Sequence, residues 1–242
     1  MKKEKNNHII NWIALILFVI VMVASVVDIM RKHNIIEKIV ANQKDVISQN
    51  NYSYHVESYN KNNESETTKS SMSFYKKDKI SMQILKNNDN SLIFWYDLGA
   101  NEQITLVPKN LKASVYKNSS EFFVNQLPPY MIDEENKNIM KIFSIITSDT
   151  VNGEKCYKIN TSGLITWYSK ESGMILKAQN GKKVIDGKEY DCISEFKDWK
   201  FNELTDEDVT RPNLTGYEVT NNEQYLQEQV ISFLVICSCH IM

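Results

Sequence analysis

The side chains that could do chemistry in this chain are few and scattered. Its four histidines, His8, His33, His55 and His240, have no cysteine or carboxylate companions at ligand spacing, whereas a structural metal site needs several such ligands close together. Cys237, Cys239 and His240 form the one Cys/His cluster in the sequence, at the end of an apolar tail, ISFLVICSCHIM. That tail is too short to span a membrane. It reads either as a packed terminal strand or helix or as the product of a shifted reading frame. Asp206, Glu207 and Asp208 lack the glycine and distal glutamate of a calcium loop, and read as a solvated turn before Arg211-Pro212. There is no Gly-rich phosphate loop and no nucleophile elbow. The expectation is a protein that is not an enzyme, with no catalytic residues, no metal and no cofactor.

Two cysteines remain in the body of the chain, Cys156 and Cys192. On the outer side of a membrane they could pair as a disulfide. The other reading is two buried thiols, and spacing alone does not choose between them. The aromatic residues Phe94, Trp95, Tyr96, Trp167, Tyr168, Phe196 and Trp199 all fall in strand-like runs. Neighbours in a strand point to opposite faces, so about half of them face any packed layer. They are either plain core or the lining of a cavity for an apolar ligand.

Around these residues the sequence organises itself clearly. Ile9 to Val27 reads IINWIALILFVIVMVASVV, with no charge and with Asn11 and Ser25 as its polar members. At about 1.5 Å per residue such a run crosses a hydrocarbon core of about 30 Å, and it shows no polar stripe of the kind a soluble helix carries. Trp12 sits where an interfacial aromatic belongs. Lys2, Lys3 and Lys5 precede the run and Arg31, Lys32 and His33 follow it, so charge alone does not orient it. The short N-terminal tail is the natural cytoplasmic side. Val23-Ala24-Ser25 also resembles a signal-peptide cleavage site, but the run is longer than a usual signal core, which favours an uncleaved anchor. The division expected is a cytoplasmic tail over 1–8, a transmembrane anchor over 9–30, an extracytoplasmic domain over 31–219, and a tail of uncertain structure over 220–242.

About 210 residues lie beyond the anchor, enough for one domain with a real core. The net charge is −2 and the pI about 6.1, and no segment has the basic density of a nucleic-acid surface. Over 31–50 the residues Ile35, Ile36, Ile39, Val40, Val46 and Ile47 recur at helical spacing. The period then changes to two, with Tyr52, Tyr54 and Val56 alternating with polar residues. Short runs separated by turn residues continue from there, and connections this short imply antiparallel pairing. One helix interrupts them over 134–147, with Asp133 as its cap and Glu134 and Glu135 placed for the helix dipole. About nine strands and two helices are expected.

The run VNGEKCYKINTSGLITWYSKESGMILKAQNG, residues 151–181, resembles the second half of the LolA-like superfamily. The likeness rests on Cys156-Tyr157-Lys158-Ile159, on Thr166-Trp167-Tyr168, and on the Ser172-Gly173 turn into Ile175-Leu176-Lys177. The closing FNELTDEDVTRPNLTGYEV, residues 201–219, is similar to the tail of membrane-anchored Gram-positive members. The group includes bacterial outer-membrane lipoprotein carriers and a periplasmic sensor that binds an anti-sigma factor. The resemblance implies an α+β fold: a curved antiparallel sheet, an incomplete barrel, wrapped on two or more helices with an apolar concave face. In the carriers that face takes acyl chains, although this sequence has no arginine in its early strands to match the carriers' gate. Phe94, Tyr96, Ile139, Met140, Phe143, Trp167 and Phe196 are then the candidate ligand-binding residues, with the helix at 134–147 as a lid. The corresponding function is a membrane-anchored binding protein for a lipid or lipoprotein segment, with no nucleic-acid partner. The alternative is an envelope sensor or accessory protein that docks a protein partner.

Overall fold

The computed structural model describes residues 2–62, 65–87, 90–117, 128–185 and 187–220. Helix α1 (Lys2–Ser48) is unbroken for 47 residues, roughly 70 Å. Its two halves meet different surroundings. From Trp12 to Val27 the side chains lie exposed, and this stretch is long and apolar enough to cross a membrane by length and composition. From Ile36 on, the helix is part of the domain. Ile36, Ile39, Val40 and Val46 are buried, at the helical spacing legible in the sequence.

Two β meanders follow. The first contains β1 (Asn51–Lys61), β2 (Glu66–Lys77), β3 (Ile80–Asn87), β4 (Asn90–Asp97), β5 (Glu102–Val107) and β6 (Lys112–Lys117). Helix α2 (Glu134–Phe143) lies between the meanders. The second contains β7 (Ile145–Val151), β8 (Glu154–Thr161), β9 (Leu164–Ser169), β10 (Ile175–Ile185) and β11 (Lys188–Phe201), and β12 (Glu218–Thr220) closes the described chain. All join one curved, unclosed sheet in the order β12-β6-β5-β4-β3-β2-β1-β11-β10-β9-β8-β7. The meanders meet at β1 and β11, which pair antiparallel from Tyr52↔Phe201 to Lys61↔Asp191. Every neighbouring pair is antiparallel except β12 with β6.

Twelve strands stand where about nine were expected. Two of the additions are β7 and β12. The interrupting helix also ends at Phe143 rather than at residue 147, because Ile145–Val151 pairs along its length with β8. Asp133 does cap α2: its Oδ1 accepts from the Asn136 backbone N–H at 2.7 Å.

The inner face of the sheet is the one on which α1 packs. Its core joins Ile36, Ile39 and Val40 to Tyr52, Tyr54, Val56, Phe74, Ile159, Tyr168, Ile175 and Phe196. The outer face is covered at one end by the segment after β11. Trp95 there donates its indole N–H to the Val209 carbonyl at 2.8 Å, and Arg211 binds Glu102 through two hydrogen bonds of 2.9 and 3.0 Å. Asp206–Asp208 belongs to this segment, with Asp208 accepting from the Thr205 backbone N–H and hydroxyl. It is the expected turn.

Cys156 and Cys192 are two buried thiols, not a disulfide. They sit on β8 and β11 with β9 and β10 between them. Register also sets them on opposite faces: Cys192 lies two residues from Ser194, which shares the inner face with Ala178, whereas Cys156 opposes Ser169 on the outer face with Trp167 and Leu176. Burial, ahead of the nearby Asp149 charge, pushes the Cys156 thiol up from its ordinary value, so it stays protonated.

Candidate functional site

A half-open cavity of about 170 Å³ lies between α2, the segment before it and strands β8–β9. Met131, Ile132, Ile139, Met140 and Leu164 supply apolar wall, while Asn136, Thr161, Thr166 and the rings of Tyr130 and Tyr168 add polar atoms. The parity of β9 builds one side. Leu164, Thr166 and Tyr168 alternate, so all three face inward while Ile165 and Trp167 face out. Tyr168 is buried, and burial raises its phenol well above the usual tyrosine range. It therefore stays protonated and donates to the Tyr130 carbonyl at 2.9 Å, which fixes the segment leading into α2. Gln43 fixes the same segment from α1. Its side chain is buried, donates to the Gly173 carbonyl at 3.0 Å and accepts from the Ile132 backbone N–H at 3.2 Å.

The structure brings only part of the sequence-derived set together. Ile139 and Met140 line the cavity. Phe196 is core: its ring meets the Tyr130 ring edge-on at 6.1 Å, so it stands one layer behind the wall. Phe94 and Tyr96 lie on the inner face of β4, as the pairings Phe74↔Gln83 and Gln83↔Phe94 require, but neither lines this cavity. Two residues need correction. Trp167 points to the outer face, where its indole N–H donates to Asp149 at 2.9 Å and Lys158 lies 5.1 Å from its ring centroid. Phe143 is 68 % exposed and does not line the cavity. Sequence reasoning missed Tyr130, Thr161, Leu164, Thr166 and Gln43.

Helix α2 is lightly held. Met140 is its one buried residue, worth about 1.5–3 kcal/mol of transfer energy. The rest of its hold on α1 is an ion-pair ladder: Lys44 with Glu134 at 3.4 Å, and Glu37 with Lys137 at 3.4 Å and Lys141 at 2.7 Å. Glu37 is 40 % exposed and Lys44 and Glu134 more so, which limits what these pairs contribute, although the Lys137 and Lys141 side chains are only 13 % and 14 % exposed. The Lys141 ammonium, then Lys137, holds the Glu37 carboxyl below its usual range, and Lys137 and Lys44 do the same for Glu134. A depressed carboxyl pKa stabilises the docked state fully above the ordinary glutamate range, and that contribution is lost as pH falls through the lowered values. Protection of the α2 amides against hydrogen exchange, corrected for intrinsic rates, is therefore expected to fall between about pH 6 and about pH 3 while that of β9 and β10 holds. Equal loss in all three would show that the ladder does not hold α2 selectively.

Among the described residues no group of three or more His, Cys, Asp or Glu side chains could hold a metal ion. Cys237, Cys239 and His240 lie outside the described residues. No protein-family model matches the chain, and no curated protein matches it. Solved structures do. One is a DUF1329 family protein from Desulfovibrio piger, at 9 % identity over 76 % of this chain and 97 % of that one, with a TM-score of 0.29. A second is an uncharacterized conserved protein from Thermus thermophilus, at 8 % identity over 76 % and 97 %, TM-score 0.41. A third is a chain of the Pseudomonas aeruginosa MucA/MucB complex, at 10 % identity over 78 % and 63 %, TM-score 0.32. The strand order and register, rather than these likenesses, carry the description of the fold.

Proposed function

We propose that this protein is a non-catalytic binding module tethered to the cell membrane. The first half of α1 crosses the bilayer, and the domain stands on the outer side. The cavity under α2 takes a short apolar segment of a lipid chain or lipid-modified peptide, with α2 as its lid. One observation carries this reading: a partly apolar hollow on the inner face, roofed by a helix that a single buried side chain and a few partly exposed ion pairs hold down. At about 170 Å³ the half-open hollow is near the size that accepts a benzene-sized guest and below the roughly 300 Å³ of ordinary ligand sites. A longer chain enters only as α2 lifts, and the light hold on α2 permits that.

A diazirine-bearing palmitate analogue, added to the full chain in lipid nanodiscs, is expected to label peptides from 128–143 and from β9 as well as the apolar helix. Leu164→Trp places an indole in the hollow. It is expected to cut labelling of 128–143 and β9 by tenfold or more while labelling of the apolar helix persists. Labelling confined to the apolar helix in the parent chain would sink the lid reading. A second reading, an envelope sensor or accessory protein docking a protein partner, has β7 in its favour. Among the described residues that strand pairs with β8 alone, at the edge of the sheet, and a sheet edge is a template for strand addition.

A further inference from the structure

Helix α2 has a second apolar surface that the cavity does not use. Ile142 and Phe143 on its last turn, and Ile145 at the start of β7, are 59 %, 68 % and 67 % exposed. Three large apolar side chains exposed within four residues, at the junction of α2 and β7, call for an occupant. The ladder of contacts along α1 says where that patch lies. Glu134 meets Lys44, Lys141 meets Glu37, and the Ile146 carbonyl accepts from the Arg31 guanidinium at 2.9 Å. As the chain advances through α2 it descends α1, from residue 44 to residue 31. The two helices are antiparallel, and the apolar end of α2 is the end nearest the membrane-crossing run. Arg31 is three residues past Asp28, the first charge after that run, or about 5 Å along the helix. The headgroup region on each side of a bilayer is about 5–7 Å deep.

We propose that Ile142, Phe143 and Ile145 insert into the interface of the same bilayer that α1 crosses, on its outer side. The occupant is the phospholipid surface itself, because the Arg31–Ile146 contact sets the patch at the level along α1 where the helix's exposed apolar run ends. Asp28, Arg31 and His33 occupy the same level and face the headgroups. The lid is thereby held at the membrane, and a chain leaving the outer leaflet meets the mouth of the cavity at Ile139, which is both 44 % exposed and part of the lining. This inference rests on the anchoring half of the proposed function and is independent of whether the cavity holds a ligand.

The test uses the full chain in vesicles of phosphatidylcholine and phosphatidylglycerol. p-Benzoylphenylalanine is placed in turn at Phe143, at Phe18 within the apolar run, and at Lys79. Lys79 lies in the β2–β3 turn, whose Asp78 amide bonds to the Asn50 carbonyl at the far end of α1, about 30 Å from the bilayer along the helix. Lipid adducts at 143 and 18 with none at 79 are expected. Adducts at 18 but not at 143, or a protein-to-protein adduct at 143, would overturn the insertion and leave the anchor standing. No lipid adduct at either 18 or 143 would overturn both. Equal lipid labelling at 143 and 79 would show unspecific contact and would overturn the insertion alone.

Discussion

Gly173→Ala is expected to cost the domain about 2–5 kcal/mol of stability. Two independent effects add. Gly173 has φ +72°, a left-handed conformation that costs an L-residue roughly 1–2 kcal/mol. A Cβ there would also lie 2.7 Å from the Ile39 carbonyl oxygen and 2.8 Å from Asn42 Cβ. Both neighbours belong to α1, and the first is backbone, so the helix as a whole must move. Forcing that much into a packed contact costs typically 1–3 kcal/mol. The turn has little freedom to yield. Asn42 donates to the Glu171 carbonyl at 2.6 Å, and the buried Ser169 hydroxyl accepts from the amides of Glu171 and Ser172. Gly163→Ala provides the internal control. Its φ is +95°, but nothing lies within 4 Å of its would-be Cβ, so only the conformational cost of about 1–2 kcal/mol applies. Denaturant unfolding of the detergent-solubilised chain, followed by tryptophan fluorescence, measures both variants. Equal losses would mean that the approach of α1 to this turn is not a constraint.

Gly173 also illustrates what the sequence could and could not say. The Ser172-Gly173 pair is legible as a turn, but nothing local says that a helix more than 120 residues earlier presses on it. The same division recurs across the molecule. The apolar run before Asp28, the buried stripe of Ile36, Ile39 and Val40, and the Asp133 cap are all written in local pattern, and the structure places each accordingly. Strand β7 was not legible, because IITSDTV lies at a sheet edge with little to bury and so shows no alternation to detect. The face of each strand was the harder problem. Trp167 and Tyr168 are adjacent and both aromatic, so alternation requires opposite faces without saying which is which. The choice is set by pairing: Tyr168 opposes Ile175 and joins the inner core, which sends Trp167 out. The same rule hid Leu164 and Thr166, the wall of the cavity, behind a more conspicuous tryptophan. On α2, spacing alone suggested that Ile139, Met140 and Phe143 all turn inward. Ten residues of helix resting on one buried methionine leave room for only part of that stripe beneath it, and Phe143 stays exposed.

Gln43 was passed over in the sequence, and the structure gives it a role. It stands three and four residues beyond Val40 and Ile39, on the stripe that α1 buries, where an apolar residue would be expected. The structure gives it two buried partners from separate segments, the Gly173 carbonyl and the Ile132 amide. Gln43→Leu keeps the volume and removes both bonds. It leaves a buried donor and a buried acceptor unpaired, each costing about 1–3 kcal/mol, so a loss of about 2–6 kcal/mol is expected in the same unfolding measurement. The substitution should also act on the site, because Ile132 lines the cavity and its amide is tied down by this side chain. Hydrogen exchange should accelerate at residues 130–133 and in α2 beyond what the global loss of stability explains. Gly173→Ala, by contrast, should speed exchange most at the β9–β10 turn and the facing part of α1. If Gln43→Leu proves neutral, either water replaces the side chain or the 128–133 segment is held by Tyr168 alone, and Tyr168→Phe in the same background separates these. Removal of the phenol would then release the lid if Tyr168 were the remaining tie, and would leave it in place if water had taken over.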